Sequence, residues 1–226
     1  MMPIRGVLLD LDGTLVDSND AHAHAWQEAL IENGYHVPYD KIRRCIGMGG
    51  DKLLKEVASL DKDSPIAEKV DARYSEIFIS KYLPHLKPFP GVRPLIERMH
   101  RDGLILVVAS SGKKVELKAM LKIADITDLI DGATSSSDVE HSKPDPDILN
   151  VALHKGKLTG AESVMLADTP YDIWAAERVG VHCIMFRCGG WQDRDLKGAL
   201  EIYDGPADLL AKYDESALTR TRVAHR

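Results

Sequence analysis

The apolar run Val7-Leu8-Leu9 ends in Asp10-Leu11-Asp12-Gly13-Thr14, so two carboxylates one residue apart stand where a buried strand would empty into a loop. No other stretch constrains the chain as tightly. Neighbouring anions at a buried strand end repel each other and resist desolvation, so they need a cation, a cationic side chain or a shared proton. The plain alternative is an Asp-Gly turn and nothing more. What the other strands carry at their ends decides between the two.

After this strand the rhythm becomes helical. Ser18 or Asn19 can cap a helix whose apolar positions Ala25, Trp26, Ala29 and Leu30 recur at three and four, with Gly34 as its stop. A second helical stretch starts near Tyr39 and runs into Gly47-Met48-Gly49-Gly50, and a third covers 52–59. The longest should carry Ile66, Val70, Tyr74, Ile77 and Phe78, which makes residues 16–86 all-helical. Pro84, Pro88, Pro90 and Gly91 then mark a boundary.

Beyond the boundary, strand and helix alternate. Apolar runs at 104–109, 164–167 and 181–186 and a weaker one at 130–134 have strand length. Helical patterns through Leu117, Met120 and Leu121, over 146–154 and over 173–179 separate them. Such alternation implies right-handed crossovers and a parallel sheet covered on both faces. The first strand has no parallel partner nearby in sequence, so it must join this later sheet, with the helical block inserted between them. The basic stretch 219–226 reads as a solvated, frayed tail.

Ligands of open parallel sheets bind beyond the carboxyl ends of the strands. There the first strand offers Asp10 and Asp12, the 104–109 strand Ser110-Ser111-Gly112, and the 164–167 strand Asp168, with Asp172 four residues on. Between the last two, Ser142-Lys143-Pro144 supplies an ammonium on a backbone that proline biases away from helix. Carboxylates as the main donors suit a hard divalent ion such as Mg2+. Hydroxyl, ammonium and backbone N–H groups suit phosphate oxygens.

These residues, in this order, resemble the four motifs of the haloacid dehalogenase superfamily: Asp10-Leu11-Asp12-Gly13-Thr14, then Ser110, then Lys143, then Asp168 with Asp172. The resemblance spans residues 7–187 and points to the phosphoglycolate phosphatase and β-phosphoglucomutase subgroup. It implies an α/β fold, a Rossmann-like parallel sheet core (1–15 and 88–226) with an inserted α-helical cap domain (16–87). It also implies a Mg2+-dependent phosphatase acting on a small phosphorylated metabolite. Asp10 would be the nucleophile that forms an aspartyl-phosphate, and Asp12 the acid and then base. Gly13, Thr14, Ser110, Ser111 and Lys143 would hold the phosphate, and Asp10, Asp12 (through its carbonyl), Asp168 and Asp172 the metal. Dehalogenases of the superfamily lack the second aspartate, so Asp12 favours phosphoryl transfer. Ala167 departs from the glycine common before the fourth motif, with slightly tighter backbone packing as the expected result.

In the cap, Gly47-Met48-Gly49-Gly50-Asp51-Lys52 lacks the spacing of a nucleotide phosphate loop and follows no strand. A specificity loop facing the core is the better reading, with Arg43, Arg44 and Lys52 either contacting the far end of a substrate or solvating a helix face. For His22 and His24 a surface position is the simpler expectation. In a resembling subgroup, however, a histidine near His22 faces the site, so His22 counts as a candidate. Trp26 is expected in the cap core, and Trp174 packed along its helix. Two alternatives stay open. A phosphomutase would need a cap-loop arginine where this chain has Gly50, and a non-catalytic ligand-binding member would be expected to lack a motif residue.

Composition narrows the partners. The chain has 226 residues, a net charge of -6 and 44% hydrophobic residues. That balance argues against nucleic-acid binding, which needs a basic surface. No apolar run approaches the roughly 20 residues of a membrane helix, and no signal peptide pattern opens the chain, so a cytoplasmic monomer or weak homodimer is expected. Cys45, Cys183 and Cys188 lack zinc or disulfide spacing and read as buried or stray thiols.

Overall fold

A computed structural model describes residues 3–220; of the tail expected at 219–226, residues 221–226 lie outside them. Six strands form one parallel sheet: β1 (Gly6–Leu9), β2 (Ile105–Ala109), β3 (Gly132–Thr134), β4 (Ser163–Ala167), β5 (His182–Phe186) and β6 (Glu201–Tyr203), in the order β3-β2-β1-β4-β5-β6. The opening strand is therefore central, with Leu9 paired to Val108 of β2 on one side and to Leu166 of β4 on the other. The strand order reverses between β1 and β4, so that pair is the switch point of the sheet.

Side chains on successive strand residues point to opposite faces. Val7 and Leu9, Leu106 and Val108, and Val164 and Leu166 pack beneath α5 (Val92–Arg101), α6 (Lys114–Ile123) and α9 (Pro206–Ala211). Leu8, Val107 and Met165 pack against α7 (Asp147–Gly156) and α8 (Pro170–Glu177). Burial on both faces explains why these strands read as continuous apolar runs rather than alternating ones. Ala167 is completely buried on the α7–α8 face.

Between β1 and β2 the chain forms α1 (Asn19–Glu32), α2 (Tyr39–Cys45), α3 (Gly50–Ala58) and α4 (Pro65–Ile77). Their apolar side chains, including Trp26, Leu30, Leu53, Val70 and Phe78, gather in a cluster of their own. Pro65 fits the first turn of α4, where no N–H partner is needed, and the Ser64 hydroxyl accepts from Ala67 N–H. As an α-helix α4 is one residue shorter than α1, 13 against 14; a π-helical segment, Phe78–Tyr82, continues it. The chain leaves and re-enters the sheet region along two adjacent crossings. Asp17 N–H donates to Lys87 carbonyl and Phe89 N–H to Leu15 carbonyl, with an antiparallel bridge between Val16 and Pro88.

Four elements go beyond the sequence expectation: α5, β6, α9 and α10 (Ala217–Arg220). The last corrects the reading of the tail as solvated from residue 219, because Leu218 is fully buried and the Thr219 hydroxyl donates to Asp214 carbonyl.

Candidate active site

Each polar side chain predicted at a strand end is held by the element before it, and several converge on the gap between β1 and β4. Asp10 follows β1 and is 6% exposed. Lys143, from the loop before α7, places its Nζ 2.6 Å from Asp10 Oδ1 and 2.7 Å from Asp172 Oδ1. Asp172 sits in the first turn of α8, where its Oδ2 accepts from the Thr169 hydroxyl at 2.6 Å and from Thr169 N–H. The helix thus fixes the carboxylate that fixes the lysine.

Asp168, fully buried after β4, accepts from the Thr14 hydroxyl at 2.9 Å and from Asn19 Nδ2 at 2.8 Å. Thr14 also donates to Asp10 Oδ2 at 3.1 Å. The structure therefore places Thr14, expected among the phosphate-holding residues, behind the carboxylates as their tie. Gly13 has φ +72°, and a Cβ there would stand 2.4 Å from Asp168 Oδ2, so the turn needs glycine for both conformation and space.

The electrostatics follow from crowding. Burial, the charges of Asp172 and Asp12, and partial relief from Lys143 leave the Asp10 carboxyl raised to about 7. Burial, with Asp10 and Asp172 adding to it, pushes Asp168 well above the usual carboxylate range. Burial alone would lower Lys143, but its two carboxylate partners outweigh that and raise it. Oxygens of Asp10, Asp168 and Asp172 lie within 4.8 Å of one another. Three buried, mutually repelling oxygen donors suit a hard divalent cation. The Asp12 carboxylate is not among these donors, its Oδ1 being taken by His22 and Ser18, and from the sequence Asp12 is expected at the metal through its backbone carbonyl.

His22 departs from the simpler expectation of a surface position. It is 6% exposed, with Nε2 2.7 Å from Asp12 Oδ1, Nδ1 2.7 Å from the Tyr74 hydroxyl, and its ring stacked on Phe78. The Ser18 hydroxyl donates to the same Asp12 oxygen at 2.7 Å instead of capping α1. Burial pushes Asp12 up, but the His22 charge and hydrogen bond and the Ser18 hydrogen bond outweigh it and hold the carboxyl below its ordinary value. His22 is raised in turn, Asp12 more than offsetting burial. Asp12, expected as the acid and base, thus stands in a hydrogen-bonded pair with His22.

Above these groups lies a cavity of about 270 Å³ between the sheet edge and α1, α3 and α4. Asp10, Asp12, His22 and Ser111 line its base, and Trp26, Met48, Asp71, Tyr74 and Lys113 are among its walls. The Ser111 hydroxyl is buried without a hydrogen-bond partner among the described residues. The Ser110 hydroxyl accepts from Gly112 N–H.

The expected cap cations point elsewhere. Arg43 pairs with Asp20 and donates to Gly189 carbonyl. Arg44 lines a separate groove with Trp191 and Arg194. Lys52 pairs with Asp145 at 2.9 Å. In their place Lys113, Asp71 and Glu116 reach the cavity, none of them singled out by the sequence pattern. Trp26 lies in the helical cluster as expected and stacks on Tyr74 with centroids 3.9 Å apart. His24 is exposed, and Trp174 is 48% exposed with only its edge against Tyr171. Burial pushes the thiols of Cys45 and Cys188 to about 11 and about 12 and raises Cys183 as well, so none is an activated nucleophile.

Residues 7–186 match the family model described as haloacid dehalogenase-like hydrolase. A phosphoglycolate phosphatase of Aliivibrio fischeri is 29% identical over 195 residues, covering 82% of this chain and 85% of that protein. Protein SUPPRESSOR OF QUENCHING 1, chloroplastic, of Arabidopsis thaliana is 32% identical over 190 residues, which are 80% of this chain but 18% of that protein. Among solved structures, a hydrolase from Pseudomonas syringae superposes with a TM-score of 0.87 at 29% identity, over 94% of this chain and 99% of that one. Among the described residues no helix is long and apolar enough to cross a membrane.

Proposed function

The chain belongs to the haloacid dehalogenase-like hydrolases, and from that premise we propose that it hydrolyses the phosphate monoester of a small metabolite through a covalent phosphate on Asp10. It is a phosphoric monoester hydrolase. The observation that carries the mechanism is the pairing of Asp10 with Lys143 at 2.6 Å at the base of the cavity, beside a second carboxylate that has its own proton source. Lys143 favours the ionised form of Asp10 against the effect of burial and, with the Thr14 hydroxyl on Oδ2, orients the carboxylate for attack on phosphorus. Asp10 attacks, and the bond to the leaving oxygen breaks. Asp12, with His22 behind it, gives that oxygen a proton, then takes one from the water that cleaves the aspartyl-phosphate. The Ser111 hydroxyl and Ser110 are within the same sheet edge to hold the phosphate oxygens.

The donor set fits Mg2+, with Asp10 and Asp168 as the carboxylates to hold it and Asp172 beside them. A cation bound there supplies the positive charge that lets an anionic nucleophile approach an anionic phosphate. We take residues 16–87 as a cap and 1–15 with 88–226 as the core, supported by the separate apolar cluster of the four helices. The proposed setting remains that of a cytoplasmic monomer or weak homodimer. The mutase alternative is not favoured: a Cβ on Gly50 would stand 2.9 Å from Trp26 Cζ2, leaving no room for the arginine it requires.

The test is release of p-nitrophenol from p-nitrophenyl phosphate. Activity should depend on Mg2+ and disappear in Asp10→Asn; activity without metal, or retained by the variant, overturns the reading.

A further inference from the structure

Resting on that reading of the site, we infer that the substrate's body beyond its phosphate is an uncharged or amine-bearing polyhydroxy group of sugar size, and that a second anionic group is rejected. Three observations carry this. The first is charge. Beyond Asp10 and Asp12, the cavity is lined by four carboxylates, Asp51, Glu68, Asp71 and Glu116, against two ammoniums, Lys62 and Lys113. Lys113 Nζ, 2.6 Å from Asp71 Oδ2 and 2.6 Å from the Ser75 hydroxyl, neutralises Asp71, which leaves Asp51, Glu68 and Glu116 against Lys62. A distal carboxylate or second phosphate would enter a surplus of like charge in a space walled by protein, where the interaction is stronger than in water.

The second observation is where the remaining cations went. Arg43, Arg44 and Lys52 are the cap-loop groups placed by sequence to grip a distal anion, and they face Asp20, a separate groove and Asp145. The third is shape. Trp26 and Tyr74, stacked face to face at 5° and both among the cavity walls, give one side of the cavity an apolar lining against which the C–H groups of a sugar-sized body can rest. Carboxylates opposite such a wall accept from hydroxyls and pair with an ammonium. Ligand pockets of this composition take their orientation from a few placed polar groups.

The experiment compares kcat/KM of the Mg2+-loaded protein on glucosamine 6-phosphate, glucose 6-phosphate, phosphoglycolate and fructose 1,6-bisphosphate, after p-nitrophenyl phosphate has established Asp10-dependent turnover. Loss of that turnover defeats the phosphatase reading itself. With turnover present, glucosamine 6-phosphate should exceed phosphoglycolate and the bisphosphate by at least about tenfold, one Coulombic interaction of about 1.4 kcal/mol. Equal or better use of either competitor that carries a second anionic group overturns the inference. Glu68 is exposed on α4, so Glu68→Lys should fold. In it the ratio of glucosamine 6-phosphate to phosphoglycolate should fall by roughly fivefold or more, chiefly through KM. A ratio unchanged in both Glu68→Lys and Asp51→Asn overturns the assignment of selectivity to these carboxylates.

Discussion

At Asp10 the burial that shields the proposed nucleophile from water also penalises its charge, and the carboxyl is raised to about 7 from an ordinary 3.8. A folded value above the unfolded one means that the folded chain binds more protons between those limits. The contribution of Asp10 to stability is therefore full below about pH 4 and falls as pH rises toward 7. Asp10→Asn removes that titration. In metal-free protein, the unfolding free energy of the variant minus that of wild type should climb across this window by up to about 1.4 kcal/mol per pH unit. Urea titrations at half-unit steps give the slope, and a flat difference contradicts the assignment. The ends of the apolar runs exposed Asp10, Ser110 and Asp168 to sequence reading because a polar residue after a buried strand is conspicuous, and Lys143 showed itself by the proline that follows it. His22 and Asn19 offered no comparable signal. Both lie on a helix whose period says which residues share a face, not which face meets Asp12 or Asp168.

Among the elements, the turn between α2 and α3 decides how the helices meet the sheet edge. Gly47 has φ +107°, and a Cβ there would stand 2.6 Å from Thr169 Cγ2, on the loop that precedes α8. Gly47→Ala imposes a left-handed backbone cost of about 1–2 kcal/mol on the docked turn. The expected result is a KM raised roughly tenfold with a melting temperature close to wild type, read by steady-state kinetics and calorimetry. An unchanged KM would mean that catalysis does not need the turn docked. The glycine run was legible as a loop facing the core. The direction of its neighbouring cations was not, because Arg43 and Lys52 found acidic or carbonyl partners from segments distant in sequence, and Arg44 lines a separate groove. Likewise β6, three residues at the sheet edge, is too short to show a periodicity, whereas β1, β2, β4 and β5 are bounded apolar runs.

For the whole molecule, the helical cluster of residues 23–78 is separate from the two clusters that flank the sheet. It shares with them polar links such as the Tyr171 hydroxyl to Arg44 carbonyl and Lys113 to Asp71. Local opening of the helices should therefore cost less than global unfolding. In native-state hydrogen exchange, amides of Leu53 and Val70 should exchange before those of Leu8, Leu106 and Met165; exchange of both sets at one free energy would show a single cooperative unit.

The two crossings that join helices to sheet lie side by side, bonded from Asp17 to Lys87 and from Phe89 to Leu15. Independent tethers would let the cap slide, twist and tilt, but a bonded pair behaves like the spine of a book. Sliding or twisting breaks those bonds, whereas rotation about their common line leaves them intact. For the cap proposed above, rotation about that line is the rigid motion that keeps both bonds, and it would open the cavity at the edge opposite the spine.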